Sequence, residues 1–238
     1  GRDRPGRPMT AATAESAFAH AFASEKCRVV SVDGRSSRLP VEDWTRTADA
    51  ADLALISYCA GPTVDLGCGP GRMTAALAAR GLPSLGVDVV PEAVAQTEAR
   101  GGRAVCRDLF EPLPGEGWWT TALLADGNLG IGGDPLALLA RVRRLLVPGG
   151  RVVAEVHPPG TPSGPLLAEL VCRCGGSSTF PWAVIGADAI GSIAAEVGLA
   201  VKRLEPLPHR RTQPRPVPPA PFTPAGGRWV AVLVEEAA

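Results

Sequence analysis

At 238 residues the chain suits one domain with a small appended cap, and its 45% hydrophobic content is that of a globular protein with a core. Lysine and arginine number 24, matching 24 aspartates and glutamates, which gives no electrostatic case for a nucleic-acid or anionic-membrane partner. No run approaches membrane-spanning length and no signal-length apolar stretch stands near the N-terminus, so the scattered cysteines at 27, 59, 68, 106, 172 and 174 are read as reduced and the setting as cytoplasmic. The close pair Cys172-Arg173-Cys174 lacks neighbouring ligands and makes a poor zinc site, so no metal is expected.

Residues 1–10 are rich in Arg, Pro and Gly and read as disordered. Residues 11–24 are helical in pattern, with Phe18 and Phe22 four apart on one face. Cys27–Val32 reads as a short extended piece and Leu39–Trp44 as a turn. A helix follows over Ala50–Cys59, with Asp49 as its N-cap and Asp52 in its first turn, where the helix dipole favours an acid.

From there strands and helices alternate. Strands are expected at Thr63–Leu66, Ser84–Val89, Arg103–Leu109, Thr120–Ala125 and Arg151–Val156. Helices are expected at Arg72–Ala79, Pro91–Arg100 and Pro135–Leu146, the last capped by Asp134 and stopped by Pro148-Gly149-Gly150. Ala187–Val197 is a helix closed by Gly198. Leu199–Leu204 and Arg228–Glu235 follow with no helix between them, and so pair antiparallel at the sheet edge. The fold class is α/β: a Rossmann-like, doubly wound, mostly parallel seven-stranded sheet with an antiparallel last strand and helices on both faces. Residues 1–47 form an N-terminal extension or cap, and 48–238 the main domain. That domain carries an insertion at 158–185 and a Pro-rich loop at 205–227, which either closes over the site, contacts a partner or stays disordered.

The most informative stretch is Val64-Asp65-Leu66-Gly67-Cys68-Gly69-Pro70-Gly71. It places a tight glycine turn between a buried strand and a helix. Glycines let the backbone turn sharply and let a ligand approach main-chain atoms, and the amides of the next helix face that ligand. Dinucleotide enzymes use Gly-x-Gly-x-x-Gly here, but the third of those glycines is replaced by Arg72. The acid at 65 suits a cationic ligand rather than a pyrophosphate.

The octet resembles motif I of the class I methyltransferases that use S-adenosylmethionine (SAM), and the likeness extends over residues 48–238. It implies SAM as cofactor and S-adenosylhomocysteine as product. It also implies a cofactor-binding set of Asp65, Gly67, Cys68, Gly69, Gly71, Asp88, Val89, Asp108, Leu109, Asp126, Gly127 and Asn128. In such a set Asp88 holds the ribose hydroxyls, Asp108 accepts the adenine amino group beside Leu109, and the loop after the fourth strand, with Asp126 and Asn128, approaches the methionine moiety. Asp65 either meets the cofactor's amino group or pins the glycine turn. Leu146-Val147-Pro148-Gly149-Gly150 matches a structural turn of the family.

Methyl transfer from a sulfonium needs alignment and a dry site more than acid–base help. Where a base is required, His157, just past the fifth strand, and Asp126 are the candidate catalytic residues; a purely structural His157 is the competing reading. Asn-Pro-Pro-Tyr, common in enzymes that methylate amino groups of bases and glutamine, is absent, which leaves oxygen, nitrogen and carbon acceptors open. Trp44, Phe180 and Trp182 are the substrate-lid candidates, suited to a flat or apolar small molecule. The function expected is methyl transfer to a small-molecule acceptor in specialised metabolism by a monomer or homodimer. The rival is a SAM-binding relative that catalyses a cyclisation or rearrangement, or only binds SAM.

Overall fold

The computed structural model describes residues 18–19, 21–22, 27–31, 36–39, 41–172, 177–208 and 227–236. The expectations for residues 1–10, for most of the helix at 11–24 and for the Pro-rich stretch beyond 208 lie outside the described residues.

Eleven strands are described: β1 (Cys27–Ser31), β2 (Ser36–Arg38), β3 (Thr63–Leu66), β4 (Ser84–Asp88), β5 (Ala104–Cys106), β6 (Trp119–Leu124), β7 (Leu146–Val156), β8 (Gly164–Cys172), β9 (Ser177–Val184), β10 (Leu199–Pro206) and β11 (Trp229–Glu235). Among the described residues the named helices are α1 (Val41–Thr45), α2 (Ala50–Ile56), α3 (Arg72–Ala79), α4 (Pro91–Ala99), α5 (Pro135–Arg143) and α6 (Ile190–Glu196), and residues 18–19 and 21–22 are helical too.

Seven strands form one sheet in the order β10-β11-β7-β6-β3-β4-β5. β3 runs parallel to β4 and β6, β4 to β5, and β6 to β7. β11 enters antiparallel between β7 and β10, so it starts where β7 ends: Trp229 lies opposite Val156. The reversal at the β3/β6 boundary opens a crevice at the carboxyl ends of the strands, which is where ligands bind in open α/β sheets.

The side chains of β6 and β7 alternate between two cores, as a period of two requires. Ala122, Leu124, Val152 and Ala154 pack with Leu138, Leu139 and Ile190 on one face. Leu123 and Val153 pack with Leu55, Ile56, Met73 and Leu77 on the other. The N-terminus of α2 is fixed by a capping box: Asp49 accepts from Ala51 and Asp52 amides, and Asp52 accepts from the Asp49 amide.

Several expectations need correction. The strand read at Arg103–Leu109 covers only Ala104–Cys106, because Asp108 turns the chain by accepting the Phe110 amide. Pro148-Gly149-Gly150 falls inside β7, since α5 already ends at Arg143. The turn read at Leu39–Trp44 contains the short helix α1. The largest difference concerns residues 158–185. They contain β8 and β9, which join β1 and β2 in a second, antiparallel sheet of order β2-β1-β8-β9. The N-terminal extension and the insertion thus build one structure, with Val29, Leu39, Ala168, Leu170, Phe180 and Trp182 in its core. The antiparallel register puts Cys27 opposite Cys172, and the two are joined as a disulfide; the reading of all six cysteines as reduced does not hold for this pair. Among the described residues no helix is long and apolar enough to cross a membrane.

Candidate functional site

The turn after β3 is held from several sides. The Gly67 and Cys68 amides donate to the Val87 carbonyl at 2.8 and 3.0 Å. Asn128 Nδ2 donates to the carbonyls of Leu66 and Gly67 at 2.9 and 2.8 Å. Gly71, at φ +82°, has no room for a side chain, since a Cβ would meet Thr97 at 2.5 Å. Gly69, at φ +52°, differs: a Cβ there would face open space, with only the Phe22 ring at 3.8 Å. Its left-handed backbone therefore presents bare main chain to a cavity.

Four acids line that cavity. Asp88, at the end of β4, accepts the Gly69 amide on Oδ2 at 2.8 Å and the Val90 amide on Oδ1 at 3.0 Å. Burial raises its carboxyl above the usual range, against the pull of those amides. Asp65 is buried within β3 and accepts the Thr74 hydroxyl at 2.6 Å. Burial pushes it up to about 7; the Thr74 bond opposes the rise, and the charges of Asp126 and Asp88 add to it. Asp108 follows β5. Asp126 follows β6 and carries a positive φ of 51°, the one non-glycine residue so placed among those described. A conformation of that kind persists only where its surroundings impose it. Here the Asp126 amide donates to Glu155 Oε2 at 2.9 Å and its carboxylate pairs with Arg72 Nη2.

Arg72 belongs to a buried charge network below the cavity. Its Nη1 reaches both oxygens of Asp52 at 3.1 Å. Asp52 also takes Arg46 at 2.6 Å and Arg228 at 2.6 Å, and Arg228 grips Glu155. β11 begins beside the end of β7, so Arg228 arrives at the same sheet edge as Glu155 and Asp126.

Of the residues expected to bind cofactor, Asp65, Gly67, Cys68, Gly69, Asp88 and Val89 line the cavity, and so do Asp108, Leu109, Asp126 and Asn128. Gly71 and Gly127 are not among the lining residues: the first packs on Thr97, and the second, at φ +80°, starts the 3-10 turn Asn128–Gly130. Trp44, Phe180 and Trp182 line the cavity too, but Phe180 and Trp182 are built into β9 and buried at 2% and 6% exposure, as a wall rather than a loop lid. His157 is not a lining residue. Its backbone is drawn away into a bridge with Gly186, donating to Ile185 and accepting from Ala187.

The sequence reading missed Arg72 as a site residue, along with Phe18 and Phe22, which also line the cavity. The signals were present: an arginine where a glycine turn meets a helix, and two phenylalanines four apart.

Residues 64–154 match the family model described as a methyltransferase domain. Among solved structures, the chain resembles a SAM-dependent methyltransferase from Bacteroides fragilis in complex with S-adenosyl-L-homocysteine, at 18% identity and a TM-score of 0.72, over 97% of this chain and 98% of that one. It resembles the 1,6-didemethyltoxoflavin-N1-methyltransferase of Burkholderia thailandensis at 18% identity and a TM-score of 0.63, over 100% and 94%. The CcbJ methyltransferase of Streptomyces caelestis follows at 17% and 0.59, over 82% and 92%. At such identities the likeness shows the shared fold. No curated protein matches the chain. Residues 64–154, from the glycine turn to β7, thus match a methyltransferase domain, and the seven-stranded sheet with its inserted antiparallel strand is the Rossmann-like fold that the chain shares with these SAM-dependent methyltransferases.

Proposed function

We propose that the protein transfers a methyl group from SAM to a small-molecule acceptor, in specialised metabolism. The observation that carries this reading is the pairing of Gly69 with Asp88. An open, left-handed glycine backbone faces the cavity, and the carboxylate beside it is fixed by two amides. Each Asp88 oxygen has accepted one N–H and keeps acceptor capacity for one hydroxyl, which suits a ribose diol. Asp108 has one oxygen committed to the Phe110 amide and the other left to accept an adenine amino group. Asp65, uncharged over much of the pH range in its buried site, is placed to ionise against a cationic amino group.

SAM, when bound, supplies an activated methyl group: the acceptor–carbon bond forms as the carbon–sulfur bond breaks, and the electron pair stays on sulfur. The protein's part is to orient and to exclude water. Arg72 and Glu155 hold Asp126 at the end of β6, where it orients what lies between the two sheets.

The test is calorimetric titration with SAM and S-adenosylhomocysteine, followed by mass analysis of candidate acceptors. Asp88→Ala should weaken cofactor binding by about a hundredfold, on the order of two charge-assisted hydrogen bonds. Unchanged affinity in that variant would refute the ribose assignment.

A further inference from the structure

The cavity is divided by chemistry. Its charged lining residues, Asp65, Arg72, Asp88, Arg107, Asp108 and Asp126, all come from the strand ends and turns of the seven-stranded sheet or from α3. Opposite them the described residues of the cap present rings: Phe18, Phe22, Trp44, Phe180 and Trp182. These rings touch in a chain. Phe22 lies 6.1 Å from Trp44, Trp44 6.2 Å from Phe18, and Phe18 5.3 Å from Phe180, centroid to centroid. Phe180 meets Trp182 edge-on at 6.2 Å.

The wall is also fixed relative to the charged half. Phe180 and Trp182 stand two apart on one strand and so share a face of β9. Gly130, in the turn that follows Asp126, lies so close to β9 that a Cβ would fall 2.0 Å from the Ala183 carbonyl oxygen. The turn carrying Asp126 is therefore docked directly on the strand carrying the rings.

On the methyltransferase reading, the charged half takes the polar cofactor and leaves the ring-lined half to the acceptor. We infer that the acceptor is a flat aromatic or heteroaromatic molecule lying against the Trp44–Phe18–Phe180 wall, and that acceptors bearing a carboxylate or phosphate on that ring are disfavoured. Flat rings gain offset-stacked and edge contacts with such a wall beyond the area they bury. An anion there would lose its water against described cap residues that carry no charge where they line the cavity. Arg72 does not serve, because its guanidinium is already shared between Asp52 and Asp126, and Arg107, on the sheet side, is outnumbered by the four cavity carboxylates. The Asp126 carboxylate on the same side adds repulsion.

The experiment uses two probes with one ring system: quinoline and the anion quinoline-2-carboxylate. Each is titrated calorimetrically into the full chain saturated with S-adenosylhomocysteine. Quinoline should bind, with the anion at least about tenfold weaker. Trp44→Leu, which keeps apolar volume but removes the ring, should weaken quinoline by about tenfold and leave S-adenosylhomocysteine affinity unchanged. Phe180→Leu provides the same comparison from β9. Equal or tighter binding of the anion would overturn the inference, as would quinoline affinity that ignores both substitutions. Binding of S-adenosylhomocysteine with no probe binding would sink this inference alone. Failure of S-adenosylhomocysteine to bind would remove the methyltransferase reading and the inference with it.

Discussion

The guanidinium of Arg228 meets the carboxylate of Glu155 through two parallel hydrogen bonds of 2.7 Å, and its remaining nitrogen reaches Asp52 at 2.6 Å. All three residues are buried. Removing one partner from such a group leaves a desolvated charge behind, which typically costs about 3–5 kcal/mol. Arg228→Met should therefore lower unfolding free energy by that order in urea titrations. The double variant Arg228→Met/Glu155→Gln should recover part of the loss. Strict additivity of the two changes would show that the bonds contribute independently and that the network does not exist as a unit.

Asp52 should govern acid stability. Burial acts to raise its carboxyl, yet Arg72 and Arg228, with the Arg46 bond, hold it well below the usual carboxylate range. A folded-state pKa below the unfolded value of about 3.9 means that its contribution is complete above that pH and is lost as pH falls further. The stability gap between the native protein and Asp52→Asn should thus be wide at neutral pH and narrow in acid. Thermal denaturation at a series of pH values measures it, and a gap that is the same at pH 3 and pH 7 would contradict the assignment.

Asp65 carries the opposite sign. Its folded-state carboxyl is pushed up to about 7, so between about 4 and 7 the folded protein holds a proton that the unfolded chain has released. Stability then declines as pH rises across that window, and Asp65→Asn should flatten the decline. A cationic ligand beside Asp65 favours the ionised form. SAM binding at pH 7 should accordingly release protons and strengthen as pH rises through 7. Calorimetry in two buffers of different ionisation enthalpy counts the protons, and a count of zero would exclude direct coupling between Asp65 and the ligand.

The glycines of the turn should separate binding from folding. Gly71→Ala drives a Cβ into Thr97 and strains a left-handed backbone, so it should destabilise the fold, as followed by melting temperature. Gly69→Ala meets no such obstacle in the free protein and should incur only the left-handed penalty of about 1–2 kcal/mol. Its Cβ points into open space at the cavity, so cofactor affinity should fall by more than stability does. The comparison is a melting curve beside a SAM titration for each variant, and equal melting losses in the two would refute the distinction.

The legible parts of this protein were those set by local chemistry. β3, β4 and β6 are short apolar runs bounded by glycine or proline, and the turn after β3 requires left-handed residues at fixed positions, so both could be read from the chain. Asp49 and Asp134 announced helix starts, and both accept the amides expected of caps. The parts that escaped depend on partners far along the chain. β8 pairs with β1, and their disulfide spans 145 residues, a contact with no local signature. Arg228 lies 73 residues from Glu155 and 176 from Asp52. His157 was singled out because it follows a strand; its parallel bridge to Gly186, 29 residues on, has no local signature in the chain.

The pairing of β1 with β8 also sets an order of assembly. During synthesis β1 leaves the ribosome long before its neighbour exists, and contacts of such sequence separation form slowly. β8 must be made before β1 can pair with it, and until then the first strand keeps an unsatisfied edge. Completion of the aromatic wall thus waits on a contact that spans 145 residues. A chain stalled before that contact would lack the ring-lined wall proposed to meet the acceptor.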